Sequence, residues 1–375
     1  MNLPKRILFT IPNFITAGSG RVMMNIVERL DRKKFSPTVC VARKGGTLDR
    51  LVEDLGIPFI EAPFTVPARP YWSLPWRTWR AAQTFRSQGF ELWHSFHYAD
   101  DYTEPLIARL SGAKNWVYTK KAMGWGSRAW QVRSRLATRI VADNTDMPKV
   151  MFDRPGLREK VRVIHHGIPA EQYRPEIPAT LGTRELVGCQ PHEVLVGCVA
   201  HLVPVKGHPT LLRAVAEVPQ ARLVIAGKPL DAEYVASLRQ LAAELHINER
   251  VHFLGPINEI PALLNELDIV VLPTWAKWRM EGCPVALIEA MSCGRACVAT
   301  DIPGSRDIIE SGRNGLLVPP EDHAALAAAL RQLVAAPDLR TQLGQAARQR
   351  VLERFTVERE AAAHAALYSE LLGID

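Results

Sequence analysis

Short apolar segments of four to six residues alternate with longer amphipathic segments along this 375-residue chain. The short segments are rich in Val, Ile and Leu, as in buried parallel strands, whereas the longer ones repeat apolar residues at helical spacing. This alternation predicts doubly wound α/β sheets. Strands are expected at residues 6–11, 37–42, 58–61, 91–94, 116–119, 139–142, 161–164, 194–199, 222–226, 251–254, 268–272, 296–300 and 315–318, and helices at 19–30, 211–218, 233–245, 285–293, 325–335 and 339–353.

The periodicity stops once, in the polar, proline-bearing stretch 166–178. One hydrophobic core rarely serves more than about 250 to 300 residues, so two domains joined near residue 168 are expected. In such proteins the ligand binds at the carboxyl ends of the strands, in the crevice between the domains. No apolar run approaches the roughly 20 residues that span a bilayer, and we expect a cytoplasmic protein.

The charge is unevenly divided. Residues 1–170 hold 27 Lys and Arg against 14 Asp and Glu, a net of +13, while residues 171–375 hold 19 against 25, a net of −6. A basic half joined to a mildly acidic half suggests that one domain meets an anionic partner.

The segment EGCPVALIEAMSCGRACVAT, residues 281–300, carries the clearest chemistry. Gly282, Cys283 and Pro284 open a predicted helix, and amides at a helix start form an anion site suited to a diphosphate. Glu289, one or two turns further on, can offer two oxygens to a vicinal diol such as a ribose. The alternative is an ordinary charged helix start that Glu281 merely caps.

This segment resembles the signature of the retaining GT-B glycosyltransferases of family 4, the bacterial glycosyl transferases of group 1. Further stretches resemble the family in order and spacing. They are TAGSGRVMMNIVERL (16–30), ELWHSFHYAD (91–100), VRVIHHGIP (161–169), GCVAHLVPVKGHPTLL (197–212), RLVIAGKP (222–229), RVHFLGPINEIPALLNELDIVVLPT (250–274) and FTVEREAAAHAALYSELLG (355–373).

The resemblance implies a GT-B fold of two Rossmann-like, doubly wound domains facing a central cleft. Residues 1–168 would form the acceptor-binding domain and residues 169–354 the nucleotide-sugar-binding domain. Residues 355–375 would form a C-terminal helix that packs back on the first domain.

The same resemblance assigns roles to individual residues. Glu281 would contact hydroxyls of the donor sugar, and Glu289 the ribose. Lys206 would neutralise the diphosphate, assisted by the backbone at Gly282, Cys283 and Pro284. Gly18 and Gly20 would let the first loop approach the substrates.

Two histidine assignments stay open. His97 is the preferred active-site histidine, with His94 as the competitor, because the family more often shows His-x-His where this chain has His-x-x-His. His201 stands where the family usually has an arginine that binds the diphosphate. An imidazole is only partly charged near neutral pH, so either another base such as Lys228 or Arg21 supplies the charge, or His201 is a buried neutral histidine without a ligand role.

The expected activity is therefore retaining transfer of a sugar, hexosyl or related, from a nucleotide-sugar donor. The acceptor would be a glycan or glycolipid of the cell envelope, such as a lipopolysaccharide or another polysaccharide. No cofactor or metal is expected, because no Asp-x-Asp metal motif lies near the predicted site. Lys206, His201 and the helix start at Cys283 would instead stabilise the departing diphosphate.

Three alternatives remain. A nucleotide-sugar 2-epimerase shares the fold. A Rossmann oxidoreductase is imitated by GSGRVM (18–23), although Met23 replaces the third glycine and Arg43 stands where an acidic residue would end the second strand. A nucleic-acid-binding protein is supported only by the isoelectric point of about 9.2.

Tryptophans and arginines cluster in two segments of the basic half. Trp72, Trp76 and Trp79 are expected on one helical stripe. Tryptophans beside arginines suit binding of an anionic acceptor or of the surface of the inner membrane. The alternative is that these residues take part in ordinary helix packing. The basic residues expected on this face are Arg77, Arg80 and Arg86 in the first segment, and Lys120, Lys121, Arg128, Arg133, Arg135 and Arg139 in the second, which also holds Trp125 and Trp130.

Overall fold

The computed structural model describes residues 3–15, 17–97, 99, 101–124, 127–277 and 280–374, with the backbone alone at Ala17 and Met280. The chain forms two compact units. Unit 1 comprises Met1–His166 together with Val357–Asp375, and unit 2 comprises Gly167–Thr356. The chain thus changes unit within two residues of the expected boundaries.

Unit 1 is built on a sheet of seven parallel strands in the order β3-β2-β1-β4-β5-β7-β8. Its elements are β1 (Lys5–Ile11), α1 (Ala17–Arg29), β2 (Phe35–Val41), α2 (Asp49–Asp54), β3 (Phe59–Glu61), a 3-10 turn (Tyr71–Ser73), α3 (Leu74–Arg86), β4 (Leu92–Ser95), α4 (Thr103–Leu110), β5 (Asn115–Lys120), β6 (Ala122–Met123), α5 (Ala129–Leu136), β7 (Arg139–Ala142), α6 (Met147–Val150), a 3-10 turn (Arg158–Lys160) and β8 (Val161–Val163).

The last helix of the chain, α15 (Val357–Leu372), belongs to unit 1. Its Leu367 and Tyr368 join the core formed by α1 and the central strands. The Tyr368 ring meets Phe9 and Phe35 edge-on, at centroid distances of 6.0 and 6.1 Å. Such aromatic contacts add to the stabilisation that comes from apolar burial.

Unit 2 is built on six parallel strands in the order β11-β10-β9-β12-β14-β15. Its elements are α7 (Thr183–Leu186), β9 (Val194–Val199), a 3-10 turn (Pro204–Lys206), α8 (His208–Ala216), β10 (Ala221–Ala226), α9 (Ala232–Glu244), a 3-10 turn (Asn248–Arg250), β11 (Val251–Gly255), α10 (Ile260–Glu266), β12 (Ile269–Leu272), β13 (Met280–Glu281), α11 (Val285–Ser292), β14 (Ala296–Thr300), α12 (Ser305–Ile308), β15 (Leu316–Val318), α13 (His323–Ala335) and α14 (Pro337–Arg354).

All thirteen expected strands are present, with ends that differ by at most two residues. The apolar runs thus identified them correctly, because strands covered by helices on both faces need apolar residues at nearly every position. Two short strands, β6 and β13, were not expected from the sequence. Among the residues that the structure describes, no helix is long and apolar enough to cross a membrane.

Candidate active site

The strand order of each sheet reverses at one place. In unit 2 the chain moves outward from β9 through β10 to β11, and then in the other direction from β12 through β14 to β15. In unit 1 the corresponding place lies between β1 and β4. Ligands of open α/β sheets bind where the strand order reverses, outside the carboxyl ends of the strands. The predicted site residues follow the strands that flank these two places.

In unit 2, two loops meet beyond β9 and β12. The backbone nitrogen of Trp275 donates to the carbonyl oxygen of Val205 at 2.9 Å, and its indole nitrogen donates to Thr210 Oγ1 at 3.0 Å. Gly207 has a φ of +70°, and a Cβ at this position would overlap the carbonyl oxygen of Pro273. Only glycine meets both conditions, so the turn that carries Lys206 packs directly against the end of β12.

This packing brings Lys206 and Glu281 together, although 75 positions separate them in the chain. Lys206 Nζ donates to Glu281 Oε1, and the two side chains are 14% and 30% exposed. Glu281 Oε2 is buried and has no hydrogen-bond partner among the residues that the structure describes. One carboxylate oxygen is therefore held by a cation, while the other can still accept a hydrogen bond from a ligand.

Glu289 lies on α11, eight residues after Glu281, and is half-buried. Burial raises the pKa of Glu289 to about 7, and a hydrogen bond with Tyr173 opposes the rise. At the start of the helix, Gly282 is buried, and a Cβ on Gly304 would overlap its carbonyl oxygen. Cys283 is half-buried, and Pro284 is the N-cap residue. Four of the predicted donor residues, Gly282, Cys283, Pro284 and Glu289, therefore lie on one continuous segment of unit 2.

His201 is exposed, so the alternative of a buried neutral histidine is wrong. Its imidazole is open to a ligand. A role of His201 toward phosphate stays a prediction.

The two glycines of unit 1 lie in the first turn of α1 rather than in a loop. Gly18 is exposed, and a Cβ there would meet no atom within 4 Å. Gly20 is buried, and a Cβ there would lie 2.6 Å from Phe14 Cδ1. Packing inside unit 1 therefore suffices to explain glycine at position 20, and its proposed contact with substrate stays a prediction.

The structure distinguishes the two candidate histidines. His94 is fully buried, its Nδ1 lies 2.6 Å from the Tyr368 hydroxyl, and its Nε2 lies 2.9 Å from Thr119 Oγ1. Burial, together with the charges of His364 and Lys121, holds the pKa of His94 well below its usual range. Both ring nitrogens are already used inside unit 1, so His94 is structural, and His97, which is 13% exposed, is the candidate active-site histidine.

Sequence reasoning missed the carboxylate beside His97. Glu104 is fully buried on α4, and its Oε2 lies 3.8 Å from His97 Nδ1 and 3.2 Å from a terminal nitrogen of Arg133. Nothing in the local sequence indicates this cluster, because its members lie on α4, α5 and the loop after β4. The expectation that Arg133 belongs to a basic surface is wrong, since its side chain is fully buried.

The second tryptophan-arginine segment is partly interior. Lys120 and Trp130 are each 4% exposed, and Lys120 Nζ lies 4.4 Å from the centre of the Trp130 ring. Arg139 pairs with Glu370 of α15 at 2.8 Å. Trp125 lies outside the described residues. Arg128 and Arg135 are exposed, so the expected basic face is present in this segment only in part.

The first segment, by contrast, presents its tryptophans to solvent. Trp72, Trp76 and Trp79 are 85%, 57% and 50% exposed, with Trp72 in the 3-10 turn before α3. Trp76 and Trp79 line a shallow groove of about 720 Å³, with Leu106 and Leu110 of α4 opposite. Arg80 stacks over the Trp76 ring at 5.4 Å.

The described residues hold no group of three His, Cys, Asp or Glu that could bind a metal ion. Catalysis without a metal stays a prediction.

The family of this chain is shown by matches to two family models and by its similarity to one curated relative. Residues 187–350 match the model described as "Glycosyl transferases group 1", and residues 16–172 match "Glycosyltransferase Family 4". The lipopolysaccharide core biosynthesis mannosyltransferase LpcC of Rhizobium leguminosarum bv. viciae is 32% identical over 254 residues, which cover 65% of this chain and 70% of that protein. The chain belongs to glycosyltransferase family 4.

Other similarities of this chain are more distant or partial. The D-inositol 3-phosphate glycosyltransferase of Mycobacterium ulcerans (strain Agy99) is 31% identical over 62% of the chain, and the match spans only 48% of that relative. A glycosyltransferase from Rickettsia africae ESF-5 superposes with a TM-score of 0.87 at 18% identity, over 98% of this chain and 99% of that chain. Alr3699/HepE of Anabaena, in complex with UDP and glucose, superposes at 0.81 and 22% identity, over 97% and 99%. These structures confirm the GT-B fold.

Proposed function

We propose that this glycosyltransferase moves a sugar from a nucleoside-diphosphate donor to an acceptor in the assembly of a cell-envelope glycan or glycolipid. The ion pair between Lys206 and Glu281 at the reversal point of the unit 2 sheet carries this proposal. The Anabaena protein binds UDP and glucose, and the Rhizobium relative is a lipopolysaccharide core mannosyltransferase. These relatives favour transfer over epimerisation.

The ion pair gives each partner a distinct task. A diphosphate would compete with Glu281 for Lys206, because both ligands are anions that a lysine ammonium can bind. Release from the lysine would leave both oxygens of Glu281 to accept hydrogen bonds from hydroxyls of the donor sugar. Glu289 would accept hydrogen bonds from the ribose diol, and the start of α11 would face the diphosphate.

Catalysis would then rest on stabilising the charge that develops on the leaving diphosphate. Lys206, the backbone N–H of Cys283 at the start of α11, and His201 would supply this stabilisation without a metal. His97 would act at the reacting centre from unit 1. We propose retention at the anomeric carbon, by attack on the face from which the diphosphate leaves, with a phosphate oxygen accepting the proton of the acceptor hydroxyl.

Donor binding and hydrolysis test this function. A panel of UDP-glucose, UDP-galactose, UDP-N-acetylglucosamine and GDP-mannose would be screened by thermal shift. A donor at 100 times its Kd stabilises the fold by about 2.7 kcal/mol. Lys206→Ala should nearly abolish hydrolysis of the active donor, and the exposed cation Arg331 provides the control variant Arg331→Ala. Failure of every donor to bind, or release of an epimerised sugar, would refute the proposal.

Glu281 and Glu289 should separate in the same assay. Glu281→Gln should lower turnover but leave binding of the free nucleoside diphosphate nearly intact, because its target is the sugar. Glu289→Gln should weaken binding of donor and nucleoside diphosphate alike. Equal losses of nucleoside diphosphate affinity in both variants would contradict this division of roles.

For the acceptor, we propose an anionic molecule or membrane surface that meets the exposed face of α3. Trp76 and Trp79 offer apolar area beside Arg80, and the exposed Arg86 ends the helix. Tryptophan next to arginine suits the boundary between lipid headgroups and acyl chains, where an aromatic body and a charged tip are both satisfied. Arg77 is half-buried and donates to the carbonyl oxygen of Pro70 at 2.7 Å, so it serves the loop before α3.

A further inference from the structure

A buried carboxylate lies beneath the candidate active-site histidine in unit 1. Glu104 Oε1 accepts hydrogen bonds from Thr10 Oγ1 at 2.5 Å and from the Trp93 indole nitrogen at 3.1 Å. Its Oε2 accepts from Ser95 Oγ at 2.7 Å and from Arg133 at 3.2 Å. A buried carboxylate remains charged only when it is paired and hydrogen-bonded, and Glu104 meets both conditions.

The ionised state follows from these partners. Burial alone would raise the pKa of Glu104, but the adjacent His97 and the positive charge of Arg133 hold it below its ordinary value. An ionised carboxylate has acceptor sites only. Glu104 therefore presents a fixed acceptor to the ring beside it.

Arg133 fixes the backbone around this carboxylate. One terminal nitrogen donates to Ser95 Oγ at 2.9 Å and to the carbonyl oxygen of His97 at 3.2 Å, and the other donates to the carbonyl oxygen of Asp101 at 2.8 Å. The guanidinium packs over Trp116, 4.8 Å from its ring centre. The chain is thus held at His97 and again at Asp101, four residues later.

The ring of His97 is held as well. Its Nδ1 lies 3.8 Å from Glu104 Oε2, and its ring meets Phe64 edge-on at 5.7 Å. The backbone nitrogen of His97 donates to Ser95 Oγ at 3.2 Å. A separation of 3.8 Å exceeds a hydrogen bond, but catalytic hydrogen bonds are often long until substrate binds.

We propose that Glu104 is the positioning residue of His97. Its carboxylate accepts a hydrogen bond from Nδ1–H and so fixes the tautomer in which Nε2 is the basic nitrogen that faces the reaction. Arg133 holds the carboxylate and the backbone of His97 in place. A carboxylate that orients a catalytic imidazole in this way sets the tautomer without itself taking up the proton. The proposal rests on the proposed function, because it assigns the orientation of a residue used in that reaction.

Tautomer and turnover together test the role. The experiment uses full-length protein labelled with ¹⁵N-histidine at pH 9, above the usual range of histidine titration. We expect the Nδ1–H form of His97 in the wild type. In Glu104→Gln the amide oxygen would stay on the side of Arg133 and would be a weaker, uncharged acceptor for the Nδ1 proton. The population of the Nε2–H form should therefore rise, and kcat for donor hydrolysis should fall about 10- to 100-fold with KM within threefold.

Glu104→Asp provides a second variant if the glutamine variant does not fold. It keeps the charge beside Arg133 but withdraws the carboxylate by about one carbon–carbon bond, 1.5 Å. If Glu104 serves only as the counter-ion of Arg133, this variant keeps both the Nδ1–H form and the wild-type kcat. That result would overturn the proposal. Glu91→Gln, at a half-buried position that pairs with Lys5, controls for charge removal within unit 1 and should change neither readout.

A double-mutant cycle decides whether the effect passes through the histidine. In a His97→Ala background, Glu104→Gln should change kcat by less than twofold, and additive losses would refute a positioning role. If the wild type hydrolyses none of the four donors of the panel, the proposed function fails. The tautomer of His97 still tests the contact in that case, and an unchanged tautomer in both Glu104 variants overturns the proposal.

Discussion

Glu289 connects the stability of unit 2 with its proposed function. Burial raises the pKa of this carboxyl from 4.5 to about 7. The folded state therefore prefers the protonated acid, and the unfolded state loses the proton at lower pH. Stability contributed by the protonated group is complete below about pH 4.5, declines as the pH rises, and is lost above about 7.

The magnitude follows from this change in pKa. One pKa unit corresponds to about 1.36 kcal/mol, so the full rise in pKa would make ionisation of Glu289 cost about 3 kcal/mol in the ligand-free protein above pH 7. Because the side chain is only half-buried, solvent screening reduces this cost somewhat. Glu289→Gln keeps the shape of the side chain but cannot ionise. We expect the variant to be more stable than the wild type by about 2 to 3 kcal/mol at pH 8, and by almost nothing at pH 4.5.

Hydrogen exchange at the amides of β9 and β14 measures the opening free energy of unit 2 across this pH range. Glu244→Gln, at an exposed position of α9, is the matched control and should follow the wild type. Calorimetric titration with UDP and GDP tests the proposed role of Glu289 in nucleotide binding. In Glu289→Gln the loss of hydrogen bonds to a charged group should weaken binding of the active nucleotide by about 1.5 to 3 kcal/mol, about 10- to 150-fold.

Two results would refute this reasoning. If the opening free energy of unit 2 depends on pH in the same way in the wild type and in Glu289→Gln, ionisation of the Glu289 carboxyl does not destabilise the folded state. If nucleotide affinity is unchanged, Glu289 does not hold the ribose. A variant that is more stable but binds nucleotide less tightly is the expected combination, since a residue kept for binding need not stabilise the empty site.

Three further predictions concern other parts of the molecule. Burial alone lowers the pKa of His166, but the adjacent Asp143 and Glu360 raise it to about 10. His166→Gln should therefore lower the free energy of unfolding by about 3 kcal/mol at pH 7 and by much less at pH 10.5, measured by urea denaturation. Combining Trp76→Ala with Arg80→Glu should reduce sedimentation with phosphatidylglycerol vesicles at least tenfold, with no effect on phosphatidylcholine vesicles or donor Kd. Equal binding to both vesicle types would contradict an anionic surface. His201→Arg should leave donor Kd unchanged or lower, because a guanidinium fork binds phosphate better than an imidazole; a more than threefold weaker affinity, measured by calorimetry, would count against a phosphate-binding role.

The sequence determined the layered architecture and located the segment that we propose as the donor site. Strands such as β9 and β14 are apolar at nearly every position, because helices cover both faces of a parallel sheet, and this constraint is visible within five or six residues. The segment that holds Glu281, Gly282 and Glu289 is also specified locally, since it comprises the end of one short strand and one short helix. Such features were predictable because neighbouring residues alone specify them.

The tertiary structure decided which polar groups are buried. Arg133 lies in a basic stretch whose sequence predicts a solvent-exposed surface. Its side chain is instead fully buried against Glu104, 29 residues away in the chain. His94 and His97 are three residues apart, but the first bonds to α15 and the second lies beside α4. A buried charge is tolerated only where distant segments supply its partners, so its environment depends on contacts that no local pattern contains.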